Sequence, residues 1–308
     1  MTNRLITTEF DKFTWYNVTD NGEKEIRFLR DTFEFEKSDL QDCSNPPLRP
    51  KVEFSEQYIF IILLFPIYNR KTGVVTTTEL DIFANNDFVV TLHQNAINVL
   101  KDLAQRIAHE PTAFKQYKGA NALTFLLDLF EQMNLSVYPM LNHISWDIDN
   151  IESQLFSGHE RELVREILNI KRNIVAIGKT MRAPKELFEE IGSEAKNYFK
   201  IKTDERIARL VNLSKYIWTQ LENHKATIDA IQESNESFIT FRLNDIMKTL
   251  TIFSVIVFPL TLLAAIFGMN TIEGMPFMNT AGGFWKVIGV MFVGMIFMFY
   301  WFKKHKWI

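Results

Sequence analysis

Between Gly192 and Gly268 the chain contains no glycine, and its only proline there is Pro259. Helix is the conformation such a stretch leaves uninterrupted, and from Asp204 to Phe267 it would run roughly 100 Å at about 1.5 Å per residue. That is several-fold longer than an ordinary globular helix. Ile207, Leu210, Ser214, Ile217, Leu221, His224, Ile228, Ile231, Asn235 and Phe238 recur at alternating spacings of three and four, the a/d pattern of a helix packed along much of its length. The other reading is a hairpin broken near His224, where no turn residue marks a break. From Leu250 to Phe267 the stretch carries no charge over 18 residues, so it is expected to enter a membrane as a stalk.

A second uncharged run of 16 residues follows from Val287 to Phe302. The alternative, two buried core helices in one tail, would leave little amphipathic surface to face water. Orientation follows from charge. The connector GMNTIEGMPFMNTAGG holds Glu273 and no Lys or Arg, whereas Phe302 is followed at once by KKHK, and basic residues stay inside. Both termini are expected in the cytoplasm, with Tyr300, Trp301 and Trp307 as an aromatic belt at the inner interface. Residues 246–308 hold five basic residues and one acid, which leaves 29 basic and 36 acidic residues in the first 245, a body of net −7 on a tail of net +4. MTNRLITTEFDKF has no apolar run of the signal-peptide kind, and the single Cys43 rules out a disulfide framework or a multi-cysteine metal centre.

Upstream the chain reads as α/β. VEFSEQYIFIILLFPIYN and TGVVTTTELDIFANNDFVVTLHQ are β-branched and aromatic runs divided by turn signals at 69–73 and 85–87, a hairpin-rich sheet. FTWYNVT and EIRFLRDTF are expected to add strands or a first helix. INVLKDLAQRIAH, then ANALTFLLDLFEQMNLSVYPMLNHISWDIDNIESQLF, then RELVREILNIKRNIVAIGKTMRAPKELFEEI place apolar residues at helical spacing, with a tip between two long antiparallel helices at Ser157 and Gly158. The organisation expected is an α/β cytoplasmic domain over 1–200 and a stalk helix over 201–245. Transmembrane helices over 246–267 and 284–302 flank a periplasmic loop over 268–283, and a basic cytoplasmic tail covers 303–308.

Two spans cannot enclose a path for a polar solute, but several copies around an axis can. Stepping by three or four from Asn244 gives Met247, Thr251 or Leu250, Ser254, Phe258, Thr261 and Ala265, a face with most of the polar side chains of the first span. Polar groups at such depth usually face a bundle interior or a water-filled cavity. The competing explanation is that Ser254 and Thr261 bond back to their own helix carbonyls.

Gly268, Met269 and Asn270 at the outer end of the first of two terminal spans, preceded by FPLTLLAAIF, followed by Met275 and Pro276, and with KKHKW at the end of the chain, resemble the CorA family of divalent metal ion transporters. PKVEF, ELDIFANNDFVVTLH and LLDLFEQMNLSVYPMLNHISWDIDNIE extend the likeness over nearly the whole chain. The resemblance implies a homopentameric channel in the cell inner membrane, with five stalk helices around one pore. It implies a selectivity ring from Gly268, Met269 and Asn270, and pore-lining or gating positions at Asn244, Met247, Leu250, Phe258 and Thr261. Glu273 becomes an outer-mouth acid or a solvated loop charge, and Glu233 an inner acidic ring or one more stalk charge. Lys303, Lys304 and Lys306 become a basic collar or topology anchors.

A ring of amide oxygens suits Mg²⁺, which sheds its water reluctantly and can be held through its hydration shell. The expected function is potential-driven uptake of Mg²⁺, with Co²⁺ or Ni²⁺ also admitted. Mg²⁺ is substrate and regulatory ligand, no cofactor is required, and the partners are lipid, divalent cations and further copies of the chain. No nucleic-acid role, nucleotide motif or catalytic set is seen. The six histidines, at 93, 109, 143, 159, 224 and 305, are scattered. Two departures from the family pattern stand out. Phe277 replaces the acid that often follows Met-Pro, and Arg209 occupies the lower stalk where a metal-binding acid is expected, so the regulatory metal residues stay unassigned. A zinc transporter of the same fold and a membrane-anchored sensor or scaffold without transport are the other readings.

Overall fold

The computed structural model describes residues 4–45, 49–155, 160–199, 204–270, 274–277, 281–305 and 307. Two compact units divide the chain, Met1–Gln232 and Glu233–Ile308.

In the first unit six strands, β1 (Leu5–Glu9), β2 (Thr14–Val18), β3 (Lys51–Phe54), β4 (Ile59–Asn69), β5 (Val74–Ala84) and β6 (Phe88–His93), form one sheet of order β1-β2-β6-β5-β4-β3. Only β2 and β6 pair in parallel. The turn chemistry is where the sequence marks it. Asn69 Oδ1 accepts from Lys71 N at 3.0 Å, and Gly73 closes the turn at φ 66°, a conformation glycine adopts without a Cβ clash. At the second turn Asn85 Oδ1 accepts from Asp87 N at 2.8 Å and Phe88 N at 2.9 Å, an Asx turn. FTWYNVT supplies β2 and EIRFLRDTF lies in α1 (Glu23–Phe33).

Helices cover both faces of the sheet. On one, α1 and α2 (Lys37–Asp42) enclose a core in which Phe83 stacks between Phe35 at 4.1 Å and Phe60 at 4.5 Å. On the other, Trp15 lies 5.1 Å from Phe125 of α5 (Ala122–Gln154) and donates from Nε1 to Thr91 Oγ1 at 3.0 Å. α3 (Asn98–His109) and α4 (Pro111–Lys118) lead into α5. The stretch read as helical over 161–191 is two helices, α6 (Glu160–Met181) and α7 (Pro184–Tyr198). Pro184 opens the second and disfavours helix at Ala183 before it. The tip expected at Ser157 and Gly158 lies outside the described residues.

Asn173 of α6 fastens this helix to the β4–β5 turn. Its Oδ1 accepts from Val75 N at 2.9 Å and its Nδ2 donates to Gly73 O at 2.7 Å, at a buried position. Asn173→Ala leaves the Val75 amide buried without a partner, and a loss of about 2–4 kcal/mol is expected. Thermal unfolding of the purified protein reads this as a Tm lower by several degrees.

α8 (Asp204–Phe267) is one helix of 64 residues, so it continues through His224 and the hairpin reading falls. Within the first unit its seam is buried at Ile207, Leu210, Ser214, Ile217, Leu221, Ile228 and Ile231, with His224 half-buried. Burial lowers the His224 pKa, which favours the neutral imidazole in the seam. α5 runs parallel to α8, as Asn134 bonding Ser214 at 3.3 Å and Tyr138 stacking on Tyr216 at 5.7 Å show. α6 runs the opposite way. Lys171 binds Asp229 at 2.5 Å and Gln232 at 2.7 Å, while a Cβ at Gly178 would meet Trp218 at 3.9 Å.

The second unit holds the remainder of α8 and α9 (Gly283–Lys304), both long and apolar enough to cross a membrane. Only 6% of the apolar window in α8 and none of that in α9 is buried. A core helix of a soluble protein would have its apolar residues covered, and these are not.

Candidate functional site

At about 100° per residue, Asn244, Met247, Leu250, Thr251, Ser254, Phe258, Thr261, Ala265 and Gly268 fall within roughly one third of the circumference of α8. Glu233 falls on the same arc. The half-buried residues Ile252, Ile256, Leu260, Leu263 and Phe267 occupy the opposite side. α9 has one covered stripe of its own, Val287, Met291, Gly294 and Met298, ending at the buried Phe302. One covered stripe on each span is what two helices lying side by side produce. Apart from the half-buried Ser254 the polar arc of α8 is left uncovered, with Met247 59%, Leu250 56% and Phe258 69% exposed, as are the flanking apolar residues Phe253, Val255, Leu262 and Ile266.

The hydroxyls on this arc are satisfied within the helix. Thr251 donates to Met247 O at 2.8 Å, Ser254 to Leu250 O at 2.9 Å and Thr261 to Val257 O at 2.9 Å. The stripe of hydroxyls alone is thus no evidence for a pore, because back-bonding makes each donor self-sufficient in hydrocarbon. What remains is placement: the Thr251 and Thr261 hydroxyl oxygens keep acceptor capacity at exposed positions, and that of Ser254 at a half-buried one.

The helix ends at the tripeptide. Gly268 N donates to Ala264 O at 3.0 Å and Met269 N to Ile266 O at 3.2 Å, and Asn270 is exposed just beyond. A Cβ at position 268 would lie 3.1 Å from Ala264 O, a tight contact that glycine avoids at the helix end. In the connector, Phe277 takes φ 71°, a left-handed conformation that costs an L residue about 1–2 kcal/mol. Glu273 lies outside the described residues, as does Lys306. Lys303 and Lys304 are exposed in the last turn of α9. Beside them Trp301 lies 5.3 Å from Phe302, and Phe302 lies 5.8 Å from Trp307. Tyr300 is also exposed near this end.

Glu233 is exposed and Arg209 pairs loosely with Glu131 at 3.5 Å. Among the described residues, no group of three His, Cys, Asp or Glu side chains is placed to hold a metal ion. The sequence reading passed over a buried acid, Asp81 of β5. Burial, followed by the charge of Glu79, raises it to about 8. Its signal was an acid at an inward position of a β-branched strand.

A soluble α/β unit, one helix continuing from it, and two uncovered apolar spans define an integral membrane protein. The chain belongs to the CorA-like Mg²⁺ transporter family, whose model matches residues 10–304. Over 296 residues it is 25% identical to the cobalt/magnesium transport protein CorA of Thermotoga maritima, covering 96% of this chain and 83% of that protein. Over 307 residues it is 25% identical to the cobalt/magnesium transport protein CorA of Methanocaldococcus jannaschii, covering 98% and 94%. The complete structure of the CorA magnesium transporter from the latter organism superimposes with a TM-score of 0.83 at 23% identity, over 98% of this chain and 94% of that one. The family is one of ion transporters, so the chain is a membrane transporter of divalent cations and not an enzyme.

Proposed function

We propose that the chain assembles as a homopentamer in the cell inner membrane, both termini cytoplasmic, and carries Mg²⁺ inward with Co²⁺ or Ni²⁺ as further substrates. The observation that carries this reading is the polar arc of α8, which lies opposite the helix's own half-buried stripe and ends at Gly268, Met269 and Asn270. Five such arcs facing one axis would enclose a path. Asn270 would hold the hydrated ion through its waters, and Gly268 would bring its carbonyl close to the mouth. Met247 and Leu250 would form an apolar constriction that closes by dewetting, with Phe258 and Thr261 above it and Asn244 below. Glu273 would draw cations to the outer mouth, Glu233 would form an acidic ring for ions leaving, and Lys303, Lys304 and Lys306 would surround the inner end as a collar.

The potential suffices as a driving force. A divalent ion gains about 4.6 kcal/mol from 100 mV, inside negative, at roughly 2.3 per unit charge. No cofactor is needed, and Mg²⁺ serves as regulatory ligand as well as substrate. The family match and the cobalt/magnesium relatives favour this over a zinc transporter of the same fold.

Vesicles loaded with ion-sensitive dyes and clamped inside-negative test the proposal. Uptake of Mg²⁺ and Co²⁺ is expected. Uptake of Zn²⁺ without Mg²⁺ would replace the reading by the zinc one, and uptake of no ion would leave the anchored sensor or scaffold.

A further inference from the structure

One buried acid in the sheet lies outside the proposed conduction path. Asp81 of β5 is 3% exposed, and its partners in register are Ile62 on β4 and Leu92 on β6, both buried. Phe83, two residues along, belongs to the same core cluster as Ile62 and Leu92. The carboxyl group therefore stands in an apolar collar. Its Oδ1 has no hydrogen-bond partner. The carboxyl of Glu79 disfavours its ionised form, and the thiol of Cys43, the C-cap of α2, favours it more weakly than burial and Glu79 oppose it.

The charged neighbours make ionisation worse. From α2 comes Asp42, while Asp39, which accepts from the Tyr58 hydroxyl at 2.8 Å, bears on Cys43. β5 itself contributes Glu79. From β3 come Glu53 and Lys51, and the Lys51 ammonium is already held by Asp42 at 2.7 Å and Glu53 at 3.0 Å. A negative Asp81 would be a buried charge beside the acids Glu79 and Asp42, which low dielectric penalises heavily. The element above it is weak. α2 has six residues and no side-chain N-cap bond, so it has little stability apart from its packing.

We propose that a single proton on Asp81 latches α2 to the sheet, and that its loss releases the helix and exposes Cys43 to the cytoplasmic solvent. The latch makes the soluble unit responsive to pH through a group unrelated to the conduction path, and it holds whether or not the transport reading does.

The sign follows from linkage. The closed form holds its proton up to about pH 8, whereas a solvated Asp releases it near 3.9. Between these values closing takes up a proton, so the closed form loses stability as pH rises, and the dependence flattens above 8. Opening should grow about tenfold per pH unit across that window.

Cys43 is the only cysteine and is fully buried, so it reports opening directly. The full-length protein in detergent is treated with iodoacetamide, and the labelling rate is followed by mass from about pH 5.5 to 7.5. Two protons must leave for reaction, one from Asp81 on opening and one from the thiol. The logarithm of the rate should therefore rise with a slope of about two in the parent and about one in Asp81→Asn. A parent slope of one, no labelling anywhere in the range, or a slope of two retained in Asp81→Asn would overturn the latch. Should Asp81→Asn not fold, the parent slope decides.

Discussion

Asn270→Ala in the vesicle assay is expected to lower Mg²⁺ uptake by tenfold to a hundredfold while leaving the assembled protein intact. The side chain lies at the exposed end of α8, beyond the last helical hydrogen bonds, so its removal takes nothing from the fold. In a pentamer the change deletes five amide oxygens at once. At a net of about 0.5 kcal/mol each, the low end for one hydrogen bond, the loss approaches 2.5 kcal/mol. Asn270→Asp is the informative companion. A ring of carboxylates binds Mg²⁺ more tightly and releases it more slowly, so uptake should saturate at lower Mg²⁺ with a reduced maximum. Unchanged uptake in both variants would remove Asn270 from the conduction path, and loss of the oligomer in Asn270→Ala would make its role structural.

Ile217→Asp should be severely destructive to the soluble unit. Ile217 is fully buried at the centre of the α8 seam, between the buried Ser214 and Leu221. A carboxylate there has no partner and loses both the apolar transfer energy and its hydration, a loss on the order of 4–5 kcal/mol. Ile217→Val should cost only about 1 kcal/mol, since one methylene is lost and the shape nearly kept. Limited proteolysis resolves the two: α5, α6 and the lower part of α8 should become cleavable in the aspartate variant and stay protected in the valine variant. Equal protection would mean that the seam contributes little to holding the three helices together.

Much of the site was legible because it is written locally. Glycine-free sequence, spacings of three and four, and an uncharged run are properties of consecutive residues, so α8 and its buried seam could be read before any contact was known. The polar arc was legible for the same reason, and its meaning was not. Whether Ser254 and Thr261 offer their hydroxyls outward or bond to Leu250 and Val257 depends on rotamers, and the back-bonded form is the one found. The break between α6 and α7 was missed although Pro184 marks it. Apolar periodicity continues across the break because both helices pack on the same core.

What the sequence determined by itself is the long helix, the two apolar spans and the tripeptide at the C-terminal end of the first, each a consequence of residue order within a few turns. Only the tertiary structure decided the parallel pairing of β2 with β6, the anchoring of α6 to a turn about 100 residues earlier by Asn173, and the position of Asp81 beneath Cys43. These join residues far apart in the chain. Their energies come from burial and mutual satisfaction of polar groups, which periodicity cannot express and only packing creates.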